Sequence, residues 1–146
     1  MNNHKKTTVT LPPESVNQID ARRGGEAVSM QVNADLEMLW EILVIGLREA
    51  KTLLSPTEAS LILDVQNGVF ISPVAVWIRG GLAHQIEDAI KHDQLDQKWK
   101  IDGEKLVEKL TNAPPLVVVA LLDWARVFWN SKDKDIEKAI SGFTGK

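Results

Sequence analysis

The residues best suited by type and spacing to do chemistry are His84, Asp88 and His92, which recur at every fourth position beside Glu87 and Asp93. On a helix that spacing stacks imidazole, carboxylate and imidazole on one face, where a divalent metal takes its ligands. The two imidazoles, however, would lie about 12 Å apart along the helix axis, too far to ligate one ion together. A solvated polar face explains them better, so no metal and no other cofactor is expected. The carboxylate pairs Glu87-Asp88 and Asp133/Asp135 read equally as helix surface and capping groups. The chain has no Gly-rich phosphate loop, no Gly-x-Ser-x-Gly elbow and no HExxH pair. Its 146 residues include no cysteine, which removes thiolate nucleophiles, thiolate metal sites and disulfides together. An enzyme is not expected.

The five tryptophans, Trp40, Trp77, Trp99, Trp124 and Trp129, fall within apolar stripes. Core packing is therefore expected of them in preference to a stacking surface. Trp129, at a helix end, is the one expected to be most exposed. Apolar content of 44% and charged content of 25% are those of an ordinary globular chain long enough for a core of its own. The net charge of −3 gives no support to a generic polyanion binder; the basic residues form two local spots, Lys5-Lys6 and Arg22-Arg23, among scattered acids. Met1–Lys5 reads as a disordered arm. The opening Met-Asn-Asn-His-Lys-Lys has no apolar stretch after its charges and does not read as a secretory signal. The apolar runs Leu39–Leu47 and Leu116–Leu122 are too short or too interrupted to span a bilayer. A cytoplasmic protein without membrane contact is expected.

The elements that must position these residues are mostly helices. Val32, Leu36, Leu39, Trp40, Leu43 and Leu47 recur at three- and four-residue spacing, predicting a helix over Met30–Leu53. Met38, Ile42 and Ile45 widen its apolar face well past one stripe. A helix that apolar is expected to be buried on most sides, at the centre of a dimer or under a second domain, or as the core helix of a monomer. Ser55-Pro56-Thr57-Glu58 is a helix start with its own cap, and Asn67-Gly68 stops that helix near Gln66. Ser72-Pro73 opens another helix, which Gly80-Gly81 interrupts. Asp102 is expected to cap Gly103–Asn112. Pro114-Pro115 starts Leu116–Asn130, and Asp133–Ser141 forms a short last helix.

The N-terminal stretch differs. Val9 and Leu11 alternate with Thr8 and Thr10, predicting a short strand over residues 6–11 before Pro12-Pro13-Glu14. A strand that short needs a partner, and a second copy of the chain is the economical one. Ala27–Val32 alternates as well and is the rival strand register. The order of Thr-Val-Thr-Leu-Pro, a helix over Pro13–Arg22 with Val16 and Ile19 inward, a Gly-containing turn and a second helix resembles the ribbon-helix-helix DNA-binding family. That resemblance covers the first third of the chain. It implies a homodimer whose ribbon enters the major groove, with Lys6, Thr8 and Thr10 facing base edges and Thr7, Val9 and Leu11 inward. It also implies that Ser29, as N-cap of the second helix, holds a phosphate, with Arg22 and Arg23 adding attraction to the backbone. The second helix is longer than that family's, and only Lys6 has the reach of a base reader. The string Ser55–Gly68, together with Trp99-Lys-Ile-Asp-Gly103, is similar to small uncharacterised bacterial proteins and brings no function with it.

The expected fold is therefore mainly α. A ribbon-helix-helix-like segment with one short strand and two helices (1–53) precedes an all-helical unit (54–146) of unknown role. The expected function is a DNA-binding transcriptional regulator, possible as an antitoxin, acting as a homodimer. Its partners would be DNA, a second copy of itself and a protein bound through the C-terminal helical unit. The alternative is a helical protein-interaction or adaptor protein that binds no nucleic acid.

Overall fold

In the computed structural model, residues 11–69 and 81–145 are described. These residues form eight helices and no strand: α1 (Pro13–Arg23), α2 (Val28–Leu53), α3 (Pro56–Gln66), α4 (Gly81–Asp93), α5 (Leu95–Trp99), α6 (Gly103–Asn112), α7 (Pro115–Asn130) and α8 (Ile136–Ile140). The mainly α class holds, but the expected ribbon-helix-helix-like strand does not, because the described chain has no sheet. Of the expected strand, residues 6–10 lie outside the described residues, and Leu11 belongs to no strand. The rival register is overturned directly, since residues 28–32 are the first turns of α2. Six alternating residues fit a strand as well as a helix; here the three- and four-residue spacing that continues from Val32 to Leu47 wins. The helix expected after Ser72-Pro73 also lies outside the described residues.

The chain divides into two units, Met1–Trp40 and Glu41–Lys146, with the division inside α2. In the first, Pro13 stands at the first turn of α1, where a missing N–H costs nothing. Gly24, at φ +57°, ends the helix in a conformation that side chains with a Cβ rarely adopt. Ile19 is the buried residue of α1, whereas Val16, expected to point inward, is exposed. Arg22 joins α1 to α2 by donating to Asp35 Oδ2 at 2.8 Å, and Gln31 donates to Asp35 Oδ1 at 2.8 Å.

The second unit is built around α3, whose residues Glu58–Leu63 and Gln66 are buried. Leu54, Leu61, Ile62, Leu82, Ile86, Leu106, Leu121 and Phe143 make the sealed centre of one core. The expected start of α3 is present: Ser55 Oγ accepts from Glu58 N at 3.1 Å, and Glu58 Oε1 accepts from Ser55 N at 2.9 Å. Asp102 caps α6 by accepting from Lys105 N at 3.1 Å. The last part of α2 lies against α7 through Gly46, where an added Cβ would come within 2.8 Å of both the Leu116 carbonyl and Ala120 Cβ. The chain then returns to the end of α2: Thr144 N donates to Lys51 O and Gly145 N donates to Leu54 O, both at 2.8 Å. These two bonds satisfy carbonyls that a helix C-terminus otherwise leaves unpartnered. Phe143, buried beside Trp124 with ring centroids 4.9 Å apart, anchors the returning segment.

Candidate interaction surface

Helix α2 has more apolar side chains than the other described residues cover. Val28, Met30, Leu36, Met38, Leu39, Trp40, Ile42, Val44 and Ile45 are between 37% and 58% exposed. Within the single chain Gly46 and Ala50 are its buried residues, so the described residues do not bury the helix as the core of a monomer. At about 100° per residue, Leu43, Gly46, Leu47 and Ala50 share the face turned into the second unit. Met38, Ile42 and Ile45 share another, spaced by four and three residues, and all three are exposed. Large apolar patches on a helix mark places where another surface sits. Sequence reasoning had the signal, since those three residues were what widened the apolar face; it lacked the knowledge that no element of the described chain covers them.

Within the first unit, Leu11, Ile19, Val32, Leu36 and Leu39 line a shallow groove of about 430 Å³ between α1 and α2, with Arg22 and Asp35 at its edge. The residues expected to meet DNA are not brought together as a basic surface among the described residues. Arg22 is engaged by Asp35 and by the Gln18 carbonyl at 3.3 Å. Arg23 Nε pairs with Asp20 Oδ1 at 2.8 Å, and its Nη1 donates to the Glu26 carbonyl at 3.2 Å. Ser29 stands one residue inside α2 instead of capping it, because the helix begins at Val28 and the Ala27 carbonyl accepts from Met30 N and Gln31 N. Lys6, Thr8 and Thr10 lie outside the described residues.

The polar cluster lies on α4. His84 Nε2 lies 3.5 Å from Asp88 Oδ2 on the exposed face of α4. Asp64, Asp88, His92 and Asp93 border an open hollow of about 590 Å³. The Asp64 carboxylate is already committed to Lys98 Nζ at 2.7 Å and Trp99 Nε1 at 3.0 Å. Among the described residues no group of carboxylates and imidazoles is placed to hold a metal ion.

The tryptophans correct one expectation. Trp129 is half-buried and its indole N–H donates to the Leu63 carbonyl at 2.9 Å, while Trp40 is 55% exposed. An indole that finds a carbonyl can be drawn inward from a helix end. No helix among the described residues is long and apolar enough to cross a membrane.

No known family, curated protein or solved structure matches this chain. The likeness to ribbon-helix-helix proteins and to small bacterial proteins therefore stands on short strings of residues alone.

Proposed function

We propose that this chain is a non-enzymatic helical adaptor of the cytoplasm, whose docking element is the apolar surface of α2. The single observation that carries this reading is the set of nine large apolar side chains exposed along that helix. Leaving such side chains in water costs about 25 cal/mol for each Å² of apolar area, so a partner that covers them gains directly. A cytosolic setting agrees with the absence of cysteine. The DNA-binding reading has less support: the net charge is −3, and both arginines expected to attract phosphate are already paired with acids of their own chain.

The test places a photo-crosslinking amino acid at position 42 of the full chain in growing cells. Irradiation is expected to give a protein–protein adduct, while the same probe at the polar position Glu104 on α6 gives none. A nucleic-acid adduct, or no adduct at position 42, overturns the reading. In parallel, anisotropy titrations with DNA from upstream of its own coding sequence and with random duplex should show no binding at near-physiological salt. Sequence-selective binding there would return the regulator to first place.

A further inference from the structure

The adaptor reading leaves open what covers α2; we infer that a second copy of this chain does, its α2 lying antiparallel to the first over Glu41–Glu49. The inference rests on the docking role proposed above and adds the occupant, the direction and the register. Ile42 and Ile45 take the two core positions of a helix–helix seam, 37% and 47% exposed respectively, and Met38 continues the seam one turn earlier. Glu41 and Arg48 are seven residues apart, so they sit along the same edge of that seam. Both are exposed, and neither makes an ion pair among the described residues.

This charge pattern selects one pairing from three. When two such helices run antiparallel with Ile42 against the partner's Ile45, edge residues meet where their numbers sum to two more than the seam pair. Glu41 then faces the partner's Arg48, and Arg48 faces the partner's Glu41. One two-fold axis produces both ion pairs and four packed isoleucines. Sliding the pair by one heptad sets Ile42 against the partner's Met38 and brings Glu41 against the partner's Glu41, two like charges. A parallel pairing stacks isoleucine on isoleucine but leaves Glu41 without a cation. Edge charges of this kind decide partner direction and register in paired helices, while the apolar seam provides the affinity.

Sedimentation equilibrium of the full chain tests this, with dimer as the expected species at tens of micromolar. Glu41→Arg and Arg48→Glu should each replace two attractions by two repulsions and weaken the dimer by roughly ten-fold or more. The double variant Glu41→Arg/Arg48→Glu should regain wild-type affinity, and an equimolar mixture of the two single variants should form heterodimers. Both positions are exposed, so helical circular dichroism should be unchanged throughout; rescue in the double variant separates pairing from a merely structural effect. A chain that stays monomeric to about 100 µM, or a double variant as weak as the singles, overturns the inference. If the purified chain is monomeric while the probe at position 42 still captures a different protein, the adaptor reading survives and the self-pairing does not. If no adduct forms there, the adaptor reading fails with it.

Discussion

Lys109 Nζ lies 2.8 Å from Glu58 Oε1, although the two side chains are only 13% and 8% exposed. The same Oε1 also accepts the Ser55 amide, so one carboxylate closes the start of α3 and neutralises a lysine from α6. A buried ion pair gains little over an apolar pair of the same shape, but removing one partner leaves a charge stranded. Lys109→Met should therefore cost about 3 kcal/mol in urea unfolding. Glu58→Gln added to it should recover part of that loss, since Gln retains the capping geometry without the charge. Additive losses in the two variants would mean the pair is not coupled.

Gly46 offers a test of packing against propensity. Alanine is favoured over glycine within a helix by about 1 kcal/mol. Here its Cβ would press on a backbone carbonyl of α7, which cannot turn aside as a side chain would. Overpacking of that kind costs roughly 1–3 kcal/mol, so Gly46→Ala should lower stability overall. Gly25, with nothing within 4 Å of an added Cβ, should tolerate the same change within about 0.5 kcal/mol. Thermal unfolding of the two variants side by side gives the comparison, and a stabilised Gly46→Ala would refute the close approach.

Much of this was legible before any coordinates. The Ser55–Glu58 capping box, the proline starts and the Asp102 cap depend on neighbours three residues away, which a sequence displays directly. The second role of Glu58 depends on a lysine 51 residues later, and nothing local announces it. The hydrogen bond from Trp129 to Leu63 likewise joins residues 66 positions apart and uses a backbone carbonyl, which every residue has. For α2 the periodicity correctly said which side chains are apolar. It could not say whether the surface meant to cover them belongs to this chain.

Gly145 approaches the backbone of Leu54 so closely that no Cβ fits between them. Gly145→Ala should push the returning segment off the end of α2. Hydrogen exchange at the Thr144 and Gly145 amides should then speed up by at least about ten-fold, reflecting local opening without global unfolding. Unchanged exchange at both amides would show that the segment is held by Phe143 alone.

Asp123 supplies a pH prediction. Burial raises its carboxyl above the ordinary value of 3.8, and Arg126 partly opposes the rise. The folded chain thus holds this proton more tightly than the unfolded chain does. Its contribution to stability is full below the ordinary carboxylate pKa and is lost as pH climbs through the raised one. Asp123→Asn should raise Tm at about pH 7 and bring little gain at about pH 3, where the wild-type carboxyl is already neutral. An equal gain at both pH values would assign the effect to something other than the carboxylate charge.

The clasp between Thr144 and Lys51 spans 93 positions of sequence. At the usual 5–20 residues per second, a ribosome makes residues 51–54 roughly 5–20 s before the residues that will close over them. Until residues 144 and 145 appear, the Lys51 and Leu54 carbonyls have water in place of those two amides, and for most of the interval α7 is itself incomplete. The second unit must therefore finish its core after α7 and the returning segment emerge, and a nascent chain stalled before that point presents an open helix end to the chaperones and proteases around it.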